Sequence, residues 1–238
     1  MPSLPIYFKT ADAAARPTDP IFYWVTRCGV FLCRNSTMFA SDVKVDYFPR
    51  TLALHCDQCQ IDLPRLPTSA LEYIVGFFSR VFDLYQSESI VLLFWEPKTK
   101  RYKLVVPDQT ATVWQSSQGL RTPLDVKYEV PVNLLGRYML LGDIHCHGDM
   151  SSYASHTDQF DELHRDGIHA VVGHIDREVP TFHVEMSIDR ARFSLHFDDI
   201  FAGYRGRRRI VPNKWLEKVK VTTNRPQPLF YENGQSYR

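Results

Sequence analysis

The sequence predicts an α/β fold, a mixed β-sheet sandwiched by helices and preceded by a β-rich N-terminal extension. Three patterns carry this expectation. PTSALEYIVGFFSRVFDLYQ (67–86) places Leu71, Ile74, Val75, Phe78 and Val81 at helical spacing, and the apolar run SESIVLLFW follows at once. YMLLGDIHCH (138–147) is a second apolar run, followed by a small polar turn and the helical stretch DQFDELHR. The N-terminal 66 residues and the stretch after Gly167 break into short strand-like runs separated by turn residues.

In chain order, IYFKT, FYWVT, GVFLC, MFASDVKVDYF and TLALHC are expected strands of an N-terminal region spanning 1–66. DLPRLPTS is the expected linker into the first helix, with Thr68 or Ser69 as N-cap and Glu72 within reach of a capping box. Strands are then expected at 88–96, 101–106, near 110–115, 125–132 and 137–147, with EPKTK as a hairpin turn. The next helix opens at Ser155 and is expected to stop at Gly167 through a left-handed terminator. IHAVVGHI, TFHVEMSI and ARFSLHF are three further expected strands. Strand order does not follow from the sequence.

With 44% hydrophobic and 23% charged residues, the chain has the composition of a packed core rather than a disordered one. Its formal net charge of +1 points neither to nor away from nucleic acid. No apolar run approaches a membrane span, and MPSLPIYFKT lacks a signal-peptide core, so no membrane association and a cytoplasmic location are expected. The five cysteines, an odd number, fit reduced thiols in that compartment.

The segment GDIHCHGDMSSYASHTD contains His145, His147, Ser155 and Asp158 in the spacing H-x-H-x7-S-x2-D. Residues i and i+2 of a strand share a face, so His145 and His147 can grip one ion while Cys146 points away. Ser155 and Asp158, at i and i+3 around a helix start, also share a face. Two imidazoles and a carboxylate are a catalytic zinc ligand set that leaves a fourth position open. The other histidines, His55, His164, His169, His174, His183 and His196, are expected to be core or surface residues, and His156 is off the ligand positions.

At these residues the chain resembles the JAMM metalloproteases, the zinc-dependent branch of the MPN family, which hydrolyse isopeptide bonds at the C-terminus of ubiquitin-like proteins. That family adds a glutamate just after a helix and at the mouth of a strand, which Glu88 matches. The usual Cys-Gly after that glutamate is Ile90-Val91 here, and the common Pro after the second histidine is Gly148. These departures point to the prokaryotic JAB-type proteins, such as those of PRTRC systems and of bacterial ubiquitin-like conjugation operons. The resemblance covers roughly 68–200 and is sharp at 142–162. It implies an MPN (JAB-type, cytidine-deaminase-like) catalytic domain over 67–202, with one zinc held by His145, His147 and Asp158. It further implies Glu88 as general base and acid, and Ser155 as oxyanion donor or helix cap, or both. The implied partners are a ubiquitin-like protein substrate and activating and conjugating enzymes.

Rival features weigh less. Glu96 sits at the far end of its expected strand, in a solvated turn; Glu72 lies on the helix and Glu129 in an edge-like strand. Cys56-x2-Cys59 has no second C-x2-C, and Cys28 and Cys33 differ in strand parity, so the cysteines are expected to be free thiols rather than structural ligands. The basic stretch 203–238 holds Arg205, Arg207, Arg208, Arg209 and Lys214. It is expected to be an extension that tunes partner affinity without building the active site, and nucleic-acid binding is not expected. H-x-H also occurs in amidohydrolases and PHP-type phosphoesterases, but too few residues follow His147 for a barrel of about 250 residues. A non-catalytic MPN scaffold is the other alternative, although every ligand position here is filled.

Overall fold

The computed structural model describes residues 4–11, 15–47, 53, 55–162 and 165–224, and it is mixed α/β, mostly sheet with few helices. Contacts divide the chain into two units, Met1–Asp57 and Gln58–Arg238. The first boundary thus precedes the expected one at 66. Among the described residues no helix is long and apolar enough to cross a membrane.

The first unit is a four-stranded sheet in the order β1 (Ile6–Phe8), β2 (Ile21–Thr26), β3 (Gly29–Asn35), β4 (Ala40–Val45). Alternation along β2 buries Phe22 and Trp24 against Cys33. The Arg16 fork ties the strand ends, donating to Asn35 Oδ1 and Asp42 Oδ1 at 2.6 Å each. The expected strand TLALHC does not form at Ala53, His55 or Cys56; Thr51, Leu52 and Leu54 lie outside the described residues.

In the second unit α1 (Thr68–Tyr85) leads into a six-stranded sheet. Its order is β12 (Ala191–Ser194), β11 (Thr181–Ile188), β10 (Gly167–Gly173), β9 (Met139–Cys146), β5 (Ser89–Glu96), β6 (Arg101–Val105). Only β9 and β10 run parallel, and α2 (His156–Glu162) lies in the crossover between them. One sheet face, with Val91, Leu93, Ile144, Cys146, Ala170 and Val172, packs into the core with Leu71, Ile74, Val75, Phe78 and Val81 of α1. The sequence places those α1 residues on one helical stripe, and burying a stripe against a sheet face is what stabilises such a helix. The alternate residues, Ile90 and Leu92 of β5, Asp143 and His145 of β9, and His169 and Val171 of β10, share the opposite face.

A three-stranded sheet, β13 (Val219–Asn224), β7 (Gln109–Gln115), β8 (Arg121–Tyr128), completes the unit. The expected strand at 125–132 is therefore shifted toward the N-terminus, and Glu129 lies beyond it. Ahead of Leu92, the first residues of β5 have no β6 partner, and at Ile90 the buried Gln109 side chain takes that place. The Ile90 N–H donates to Gln109 Oε1 (2.9 Å), and Gln109 Nε2 donates back to Ile90 O (3.0 Å).

Three expectations are corrected. The N-cap of α1 is Pro67, with no side-chain cap, because the proline ring carries no acceptor oxygen for the free helix N–H groups and Thr68 is already helical; Glu72 is instead buried and paired with Arg209 at 2.8 Å. Gly167 opens β10 rather than closing a helix, since a Cβ there would meet Leu141 O at 2.7 Å. The basic stretch is not a separate extension up to Asn224. Arg208 donates to Ser79 Oγ and Ile175 O, and the Arg209 backbone crosses α1 where a Cβ on Gly76 would lie 2.1 Å from Arg209 O. Helices α3 (Phe197–Ile200) and α4 (Asn213–Leu216) and strand β13 follow within the same unit.

Replacing Gln109 by Leu strands the Ile90 N–H and C=O, and unmade buried hydrogen bonds cost about 1–3 kcal/mol each. Denaturant unfolding of Gln109→Leu should register a loss in that range, whereas an unchanged midpoint would mean the amide braces nothing.

Candidate metal centre

Strand β9 ends in the sequence D-x-H-x-H, and the pleat turns Asp143, His145 and His147 to one side while Cys146 enters the core. Burial pushes the Cys146 thiol up to about 12. The His147 N–H continues the ladder to Val172 O at 3.0 Å, so the second imidazole is held although β9 has formally ended. The chain then turns at Gly148, with φ +65° and the Phe82 ring 2.6 Å from where a Cβ would sit. Proline, whose φ is fixed near −65°, is impossible at that position, which accounts for glycine there. Three bonds pin the turn to the end of β10: Ile175 N–H to Gly148 O (2.9 Å), His174 N–H to Met150 O (2.7 Å) and His174 Nδ1 to Asp149 O (2.8 Å).

Helix α2 brings the third donor. Ser155 is its N-cap: Ser155 Oγ accepts the Asp158 N–H (3.2 Å), Asp158 Oδ2 accepts the Ser155 N–H (2.7 Å), and Ser155 O accepts the first helical bond from Gln159 N–H (2.9 Å). This is a capping box with Asp in the usual Glu position. The cap fixes the Asp158 carboxylate at the helix start, where the macrodipole favours a negative charge. The Ser155 hydroxyl accepts one bond and keeps its own proton to donate.

The three donors converge. His145 Nε2 and His147 Nε2 are 3.2 Å apart, Asp158 Oδ1 is 3.5 Å from the first and Asp158 Oδ2 is 3.4 Å from the second. Tetrahedral zinc bonds of about 2.0–2.1 Å put ligand atoms about 3.3–3.4 Å apart, so the gap between the imidazoles and the gap from each imidazole to its nearer Asp158 oxygen match the spacing of zinc ligands. Both histidines are buried, and Asp158 is half-buried at the rim. Two neighbouring carboxylates, Asp143 and Asp158, outweigh burial and hold the His145 imidazole well above its ordinary value. Against burial, the His145 and His147 rings hold Asp158 far below the usual carboxylate range.

Glu88 directly precedes β5, whose Ser89 pairs with Cys146, so Glu88 stands level with His147 and has the parity of the site face. It is 7% exposed, it lines the same cavity of about 480 Å³ as His145, His147, Ser155 and Asp158, and burial raises its pKa. Glu96 lies at the other end of β5, bonded to Thr99 and Arg137 and outside the cavity lining. Strand β8 forms one cavity wall through residues from Pro123 to Tyr128.

Sequence reasoning missed a charged network behind His145. Asp143, 1% exposed, lies 3.5 Å from His145 Nδ1 and accepts bonds from Arg165 and from His169 Nδ1 (2.9 Å). Glu162 on α2 reaches His169 at 3.5 Å and Arg192 at 2.8 Å. Asp143, His145 and Glu162 form a second group of metal-competent donors, but Arg165 and Arg192 already pair with its two carboxylates. The signal was available, since Asp143 shares the parity of the two histidines. Cys28 and Cys56 are exposed, Cys59 is half-buried and Cys33 is buried; among the described residues no cysteine joins a metal-competent group.

No protein-family model matches the chain, and no curated protein does. One solved structure it resembles is that of protein DSY2949 from Desulfitobacterium hafniense, a structural-genomics target, at 10% identity and a TM-score of 0.36 over 68% of this chain and 94% of that one. A likeness that loose carries no argument about function.

The pair formed by His145 and Asp158 sets a pH signature. Asp158, lowered, contributes stability above the ordinary Asp value and loses it as pH falls; His145, raised, contributes below the ordinary His value and loses it as pH rises through its folded value. The metal-free protein should therefore draw most from this pair between about pH 4 and 6.5. A metal ion taken up at His145 would compete with protons there, so its affinity should rise with pH. Chelator-competition titrations between about pH 6 and 8 check this, and a flat dependence contradicts it.

Proposed function

We propose that the protein is a zinc-dependent isopeptidase or peptidase of the JAMM type, with an MPN fold of the prokaryotic JAB branch, acting after the C-terminus of a ubiquitin-like protein. The observation that carries the reading is the donor triangle of His145, His147 and Asp158, with gaps of 3.2–3.5 Å between their nearest atoms, with Glu88 on the same face and Ser155 at the rim. The resemblance of H-x-H-x7-S-x2-D to the JAMM pattern supplies the substrate class.

In this reading His145 and His147 bind through Nε2 and Asp158 through its carboxylate. A zinc ion held there would supply Lewis acidity toward water and a substrate carbonyl. Glu88, desolvated and with its pKa raised, accepts a proton from the attacking water and returns it to the leaving amine. The Ser155 hydroxyl, held by the α2 cap, donates to the oxyanion that develops on the scissile carbonyl.

The substrate has to arrive extended, and β8 supports such a route. It lies at the end of the order β13-β7-β8, so one edge is unpaired among the described residues, and it lines the cavity. An extended C-terminal tail adding to that edge by β-augmentation would run toward the donor triangle. Glycine is expected on the acyl side of the cut, where bulk would collide with the site walls.

Ubiquitin-like proteins fused through a C-terminal glycine to a reporter peptide provide the test. Glu88→Gln should keep zinc and fold while kcat/KM falls about 10²–10⁴-fold, the range credited to general base catalysis. Glu96→Gln should match the unaltered protein. Normal cleavage by Glu88→Gln, or hydrolysis of phosphoesters with no cleavage of any fusion, would overturn the reading; zinc binding without hydrolysis of either would favour the scaffold alternative.

A further inference from the structure

We propose that Asp143 is a positioning residue of the metal centre, setting the orientation of His145 directly and that of Asp158 through His169 and Glu162. The proposal rests on the zinc reading above and adds to it a residue which that reading leaves without a role.

The geometry behind it is a branching bracket. His145 turns Nε2 toward His147 and Asp158, and Nδ1 toward Asp143 Oδ1 at 3.5 Å. A carboxylate behind Nδ1 favours the tautomer with its proton on Nδ1, which leaves the Nε2 lone pair free for an ion. Asp143 is itself held from the other side by Arg165 and by His169 Nδ1 at 2.9 Å, while His169 Nε2 lies 3.1 Å from Arg165 O. With both oxygens engaged, the carboxylate has no freedom to rotate away from His145.

The second arm reaches α2. Glu162 lies one helical turn after Asp158, on the same side of the helix, and its Oε1 is 3.5 Å from His169 Nδ1. Its Oε2 is paired with Arg192 at 2.8 Å, and Arg192 also bonds Glu185 on β11. The helix that carries the third ligand is thus docked, through Glu162 and His169, onto the residue that holds the first. Buried ion pairs of this kind contribute little net stability relative to apolar packing, so a positional role is the stronger account of why charges occupy this site.

Asp143→Asn removes the carboxylate but keeps the shape. Zinc affinity, read by competition with a chromophoric chelator on folded protein, should weaken about 10–100-fold, the range for loss of an outer-sphere partner. Arg165→Met is the graded comparison: it takes one holder from Asp143 but leaves the carboxylate and its bond from His169 Nδ1, so it should lower the melting temperature and weaken zinc binding clearly less than Asp143→Asn does. Should Asp143→Asn alone fail to fold, the double variant Asp143→Asn/Arg165→Met leaves no orphaned guanidinium and should reproduce the 10–100-fold loss. Nitrogen-15 spectra of the zinc-loaded protein should give His145 a protonated Nδ1 that Asp143→Asn disturbs. Unchanged zinc affinity in the Asn variants, or equal losses in Asp143→Asn and Arg165→Met, would overturn the positioning role while leaving the zinc reading intact. Absence of zinc binding by the unaltered protein would overturn both.

Discussion

Three polar groups with lone pairs, two imidazoles and a carboxylate, meet in a space too small for water to separate them, with gaps of 3.2–3.5 Å between their nearest atoms. Buried polar atoms need partners, and these three have few beside one another. In the proposed reading, a divalent cation of tetrahedral preference would resolve the crowding by taking a lone pair from each of the three groups. Much of the surrounding architecture follows from holding that triangle: strand pleat sets two corners, a helix cap sets the third, and the β9–α2–β10 crossover brings cap and strand end together.

Rigidity around the triangle comes from three independent devices. Gly148 permits a left-handed turn under Phe82, and bonds to Ile175 and His174 anchor the turn to β10. The reciprocal bonds between Ser155 and Asp158 orient the carboxylate, which would lower the ordering cost of binding an ion. Gln109 replaces a missing strand beside Ile90, and so fixes the segment that presents Glu88. Each is a local solution in which a single side chain or glycine meets a backbone requirement.

Much of this was legible in the sequence because it depends on local period and spacing. The stripe of α1, the parity of His145 and His147 and the cap at Ser155 follow from patterns of two to four residues, whereas Glu88 was singled out by its place between helix and strand together with the family resemblance. What was not legible depends on residues distant in the chain. Arg209 lies far from Glu72 in sequence, and nothing local signals that the basic stretch crosses α1 at Gly76 or that β13 pairs with β7. The Asp143 network lies between these extremes, since the parity of Asp143 was visible while its partners His169, Glu162 and Arg165 were not. The missed N-cap at Pro67 has a plain cause, as Thr68 and Ser69 satisfy the capping preference equally well until the backbone chooses.

X-ray absorption of the zinc-loaded protein addresses the ligand triangle without reference to any substrate. Two imidazoles and one carboxylate require a four-coordinate ion with only nitrogen and oxygen neighbours at about 2.0–2.1 Å and the outer-shell scattering of two imidazole rings. A sulfur neighbour at about 2.3 Å would move the metal to the cysteines, and a first shell without imidazole scattering would remove His145 and His147 from the centre on which the whole account depends.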